Sequence, residues 1–181
     1  MDRTRAQRLI REVKPDVLVI ISPDHWVNFF IDNLPAICVG VGEDHDGPPE
    51  PWFKEFPHRK MAGHPALASH IVQTALERDF EPSVSYKLAL DHGFCIPLWK
   101  AKVDPIPAIV PVIFNDIEPP FPSVRRCYAW GTMLAEAVAS FPGKLRVGVL
   151  ATGGLSHSIG EADMGRIDED YDRDYIRRLV K

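Results

Sequence analysis

Apolar positions recur at helical spacing through TRAQRLIREV, residues 4–13, and the pattern breaks at Lys14-Pro15, where proline ends a helix. DVLVIIS follows at 16–22, a continuous β-branched run of the kind that forms a strand covered on both faces. NLPAICVGVG predicts a second strand, and residues 43–63, rich in Pro, Gly and charge, predict a long loop of functional or mobile character. His64 to Leu76 has an amphipathic helical pattern, SVSYKLAL predicts a strand, PAIVPVIF another, SVRRCYAWGTMLAEAVASF a helix and LRVGVLATG a last strand. The tail, RIDEDYDRDYIRRLVK, begins acidic and ends basic, as suits the dipole of a closing helix. Helices alternating with strands predict an α/β fold: a central, largely parallel or mixed sheet with helices on both faces.

Length adds one constraint, since 181 residues suffice for one sizeable core and residues 1–181 read as a single domain. With 45% hydrophobic and 25% charged residues and a net charge of -4, the chain fits a soluble globular protein and has no electrostatic reason to bind nucleic acid or a membrane. Cys38, Cys95 and Cys127 are widely spaced and odd in number, which favours neither a disulfide framework nor a cysteine-rich zinc site. The N-terminus is too charged for a signal peptide and no apolar run approaches a membrane span, so the expected location is the cytoplasm.

Three histidines share a setting. His25 in VIISPDHW, His92 in KLALDHGF and His157 in VLATGGLSH each follow an apolar, strand-like run. In open α/β sheets the loops leaving the strand ends form the ligand crevice, so the three are expected to converge on one pocket. Each alone reads more readily as a hydrogen-bonded turn residue than as a catalyst. Asp24 and Asp91 directly precede two of them and could orient an imidazole, although neighbouring side chains on an extended backbone point apart. His45, His58, His64 and His70, in the Pro-rich loop or the helix after it, read as solvated or structural. No HExxH is present, against a zincin. GLSHS begins like a hydrolase nucleophile elbow but has Ser158 where a second glycine is needed, and Gly153-Gly154 lacks phosphate-loop spacing.

Together VIISPDHW, LALDHGFCIPL and ATGGLSHS resemble the type III extradiol ring-cleavage dioxygenases, above all the catalytic subunit of protocatechuate 4,5-dioxygenase and its gallate-cleaving relatives. NFFIDNLPAICVGVG, GHPALASHI, RRCYAWG and DEDYDRDYI extend the similarity over nearly the whole chain. The resemblance implies a non-haem Fe(2+) centre that opens a catecholic acid with O2, the iron being held by two histidines and a carboxylate with open positions for both substrates. It implies that His25 is an iron ligand, that His157 is the base toward the substrate hydroxyl, and that His92 is the proton donor assisting O–O cleavage. It also implies two absent ligands: no histidine precedes His25, and Glu161, Asp163 and Asp168 do not match the family's glutamate motif, reading instead as loop and helix N-terminal residues. The expectation is a chain lacking the family's N- and C-terminal segments, which alone binds iron poorly. The alternatives are an iron-free homologue acting as an aromatic-binding or regulatory subunit, or a homo-oligomer or small partner subunit that completes the site.

Overall fold

A computed structural model describes residues 3–158 and 162–180. The elements run α1 (Arg3–Val13), β1 (Val17–Ser22), β2 (Ile37–Gly40), β3 (Asp44–Gly47), β4 (Arg59–Ala62), α2 (Pro65–Glu77), β5 (Ser83–Ser85), α3 (His92–Lys100), β6 (Ala108–Phe114), α4 (Val124–Ser140), β7 (Val147–Ala151) and α5 (Glu169–Leu179). Five strands form a mixed sheet in the order β5-β2-β6-β1-β7, and β3 pairs with β4 as a separate antiparallel hairpin. β1 runs parallel to both β6 and β7, while β2 is antiparallel to β6.

The continuous apolar runs of β1 and β6 reflect burial on both faces. Val17, Val19, Val110 and Val112 point into one core with Leu67, Ile71, Trp130 and Met133 of α2 and α4. Leu18, Ile20, Ile109 and Ile113 alternate into the opposite core, which holds Phe94, Cys95 and Leu98 of α3 and the loop aromatics Phe53 and Phe56. Pro111 lies in β6 between two neighbours, where its missing N–H is a defect. The β2–β6 ladder accordingly stops at Val39↔Val112. The next β2 residue is Gly40, at which a Cβ would come within 2.6 Å of the Pro111 Cγ.

Two expectations need correction. Residues 43–63 are not one long loop, because Asp44–Gly47 and Arg59–Ala62 pair as a hairpin around a shorter Pro-rich segment. The strand expected over SVSYKLAL shrinks to Ser83–Ser85, and an unforeseen helix, α3, starts at His92. His92 therefore opens a helix rather than ending a strand. Gly93 and Pro97 hide this helix in the sequence; Asp91 starts it, its side chain accepting from the Gly93 N–H, and burial of Phe94, Cys95 and Leu98 holds it. No helix among the described residues is long and apolar enough to cross a membrane.

Candidate active site

Because β6, β1 and β7 point the same way, their C-terminal ends lie side by side and the loops that leave them share one crevice. His25 follows β1, Asp116 follows β6 and His157 follows β7, while α3 brings His92 to the same place from above the sheet. His25, His92, Asp116 and His157 all line one cavity of about 520 Å3. The three histidines picked out in the sequence thus do meet.

Each imidazole is tied at Nδ1. The His25 ring lies 3.0 Å from Asp91 Oδ2, and the same oxygen accepts the His25 backbone N–H at 2.9 Å. Asp91 Oδ1 accepts the Gly93 N–H at 2.8 Å, so the buried carboxylate caps α3 and grips His25 at once. The Asp91 hydrogen bond raises the His25 pKa above the ordinary imidazole value; burial opposes this, and the charges of Asp91, Asp116 and Asp24 add to it. Burial pushes Asp91 upward, but the ring and backbone bonds from His25 and the charges of His25 and His92 outweigh it and leave Asp91 lowered. Gly93 permits the close approach of α3 to β1, since a Cβ there would collide with Ser22 Oγ and come within 3.0 Å of Asp91 Oδ1 and His25 Cε1.

His92 is held in the same manner by a residue of the Pro-rich loop. Glu50 Oε1 accepts the His92 backbone N–H at 2.9 Å and its Nδ1–H at 2.7 Å. The rings of His25 and His92 lie 4.1 Å apart between centroids, and Trp52 packs on His92 from outside at 5.5 Å. His157 donates from Nδ1 to the Leu155 carbonyl at 2.8 Å; a carbonyl only accepts, so the neutral ring keeps its lone pair on Nε2. Ser156, rather than acting as a nucleophile, fastens this loop to α5: its N–H bonds Asp172, and its hydroxyl accepts the Asp168 N–H at 2.8 Å. Burial raises Asp116 above the ordinary carboxylate range, against the pull of His25 and His157.

Neither aspartate hydrogen-bonds the histidine beside it. Asp91 reaches back to His25, and Asp24 binds the backbone N–H groups of Val27, Asn28 and Phe29, folding the turn that follows His25. Glu50 and Asp116 were not foreseen. Glu50 lies 42 residues from its partner, and a lone acid in a Pro-rich loop carries no local signal of that contact. Of the other histidines, His64 caps α2 by accepting the Leu67 N–H, His70 bonds Ser140, and His58 donates to the Pro48 carbonyl. His45 is fully buried and accepts the Leu88 N–H, the structural rather than the solvated of the two readings. Asp168 caps α5 as its position implied, whereas Glu161 lies outside the described residues.

His25, Asp91 and His92 bring possible ligand atoms within 4.8 Å of one another, and imidazole with carboxylate is a donor set that suits a divalent transition ion. The hydrogen bonds distinguish among them. Asp91 already carries three N–H groups, whereas His25 Nε2 has no hydrogen-bond partner among the described residues and belongs to a ring fixed from behind by a carboxylate. Carboxylate–histidine–metal arrangements hold imidazole ligands in this way, so His25 fits an iron-binding role in both donor type and tautomer.

Residues 4–181 match the family described as the catalytic LigB subunit of aromatic ring-opening dioxygenase. Over 168 residues the chain is 32% identical to a 2,3-dihydroxyphenylpropionate/2,3-dihydroxicinnamic acid 1,2-dioxygenase of Klebsiella pneumoniae, a match covering 90% of this chain and 50% of that protein. A gallate dioxygenase of Pseudomonas putida is 33% identical over 129 residues, covering 66% of this chain and 36% of its own length. In fold, the chain resembles the crystal structure of the uncharacterized protein JW3007 of Escherichia coli K12, with a TM-score of 0.56 and 20% identity over 87% of this chain and 55% of that one. The chain spans about half the length of the curated relatives it matches.

Proposed function

The chain belongs to the family of the catalytic LigB subunit of aromatic ring-opening dioxygenases, and from that membership we propose that it carries the proton-handling side of an iron(II)-dependent extradiol centre, which opens a small catecholic acid with O2. The observation that supports this most is the meeting of His25, His92 and His157 at one cavity beyond three parallel strand ends. The relatives are named for 2,3-dihydroxy aromatic acids and for gallate, and the proposed substrate class follows them.

His25 would hold the ion through Nε2, with Asp91 fixing the ring. A ferrous ion held there would supply the one-electron chemistry that lets O2 react with a catechol. His157, with Nδ1 occupied by the Leu155 carbonyl, takes a proton from a substrate hydroxyl at Nε2. His92, held at Nδ1 by Glu50, delivers a proton from Nε2 when both ring nitrogens carry one, to the oxygen freed as the O–O bond breaks, and is left as the neutral Nδ1–H ring. Ile96, Pro97 and Ile117 supply apolar wall to the same cavity, suited to an aromatic ring.

Anaerobic loading with ferrous iron, followed by O2 and 2,3-dihydroxyphenylpropionate, protocatechuate or gallate, tests this through the yellow ring-opened product. Where the iron site is completed, by a longer chain or a partner subunit, His157→Ala is expected to keep its iron and lose about 10²- to 10⁴-fold in turnover, whereas His25→Ala loses the iron. Equal iron loss in both variants refutes the division of roles. Tight catechol binding by iron-replete protein without ring opening replaces the enzyme with an aromatic-binding module.

A further inference from the structure

Glu50 reaches His92 from a segment fixed at both ends. Phe53 and Phe56 are buried against α3, with the Phe53 ring 5.6 Å from Trp99 and 6.2 Å from Phe56. The Phe53 N–H closes a turn on the Glu50 carbonyl at 3.2 Å, and His58 Nδ1 donates to the Pro48 carbonyl at 3.1 Å. The carboxylate so placed is only 12% exposed. One of its oxygens takes both N–H groups of His92, while the other, Oε2, is buried without a partner among the described residues.

That arrangement is costly for a structural contact. An unpaired buried acceptor carries a desolvation penalty. Nor does α3 need Glu50 as a cap, because Asp91 already occupies that position. What Glu50 does supply is the same two-point grip that Asp91 exerts on His25: a single carboxylate oxygen bridging a histidine's backbone N–H and its ring Nδ1–H. Such a grip fixes both the ring's orientation and its tautomer.

We infer that Glu50 is the positioning residue of His92, holding the ring as the Nδ1–H tautomer so that Nε2 is the atom presented to the substrate. The inference rests on the reading of His92 as the residue that acts on the substrate. The clamp itself is a property of the metal-free chain.

The test is long-range proton–nitrogen NMR on the full chain labelled with [15N]histidine and free of metal, above the imidazole titration range, with His92→Gln identifying the His92 signals. Wild-type protein is expected to show His92 as Nδ1–H. Glu50→Ala exchanges the two nitrogen shifts with loss of the Nδ1–H correlation, whereas Glu50→Gln, whose amide oxygen still accepts, retains it. Unchanged signals from buried His45 in all three proteins report an intact fold. Retention of Nδ1–H in folded Glu50→Ala overturns the inference, as does an Nε2–H tautomer in the wild type. Turnover of iron-loaded Glu50→Ala separates the two claims: a lost tautomer with undiminished kcat leaves the clamp standing and refutes proton delivery by His92, while a fall in kcat with KM held supports both.

Discussion

Replacing Asp91 by asparagine keeps the shape of a buried side chain and removes its charge, and the hydrogen bonds leave the new amide no good orientation. Both oxygens of Asp91 accept N–H groups, Oδ1 from Gly93 and Oδ2 twice from His25. Whichever way the amide turns, its NH2 faces a donor. The less costly choice sets the amide nitrogen against Gly93, losing the helix cap, which is worth about 1 kcal/mol. The two His25 bonds then change from charge-assisted to neutral, at about 1 kcal/mol each. Relief from burying a carboxylate offsets part of this, and the expected loss is about 1–3 kcal/mol in urea unfolding near neutral pH. The effect has a pH signature. The His25 pKa is raised, so its share of the stability is full below the unfolded value of 6.5 and is lost as pH rises through the folded value. Asp91 is lowered, so its share is present above 3.8 and is lost as pH falls through its folded value. The difference between wild type and Asp91→Asn is therefore greatest between pH 3.8 and 6.5 and shrinks on either side. A difference below about 0.5 kcal/mol, or one independent of pH, refutes the view of Asp91 as the shared support of α3 and His25.

Other substitutions test other parts of the frame. Asp16, lowered to about 2 by its side-chain and backbone hydrogen bonds with Arg146, joins the starts of β1 and β7, so acid unfolding curves of wild type and Arg146→Met should differ above 3.8 and converge as pH falls toward 2. Burial lowers the His45 pKa despite Asp44 and Asp46, so the unfolded chain takes up that proton first; stability should fall as pH drops below 6.5, and His45→Gln should flatten this slope in pH-dependent thermal melts. Gly40→Ala should cost about 1–3 kcal/mol in chemical denaturation, because the new methyl meets Pro111, His45 and Leu88. Gly131→Ala, a helical site with open space around its Cβ, should instead be neutral or stabilising by the same measurement.

The strands were legible wherever both faces are buried. VLVIIS and AIVPVIF could only be strands under helices, and Pro111 did not hide β6 because a neighbouring glycine yields the room. Convergence of His25 and His157 was also legible, since parallel strand ends share a crevice, whereas His92 reaches it on α3, a helix the sequence pattern did not show. What remained hidden were the long-range partners. Asp91 sits next to His92 in the chain yet pairs with His25, 66 residues away, because Asp91 precedes the first turn of a helix that neither its glycine nor its proline announces. Glu50 was hidden for a related reason: its loop is fixed by Phe53 and Phe56 packing beneath α3, a contact that appears only once both cores are assembled.

The crossed grip on His25 and His92 also bears on the order of assembly. Its pairings span 66 and 42 residues, so no local fragment of the chain can orient either ring; chain closure must be complete before both are in place. An ion that needs those rings oriented would find poor lodging in a nascent or half-folded chain, and its capture would serve as a chemical report that the last long-range contacts had closed.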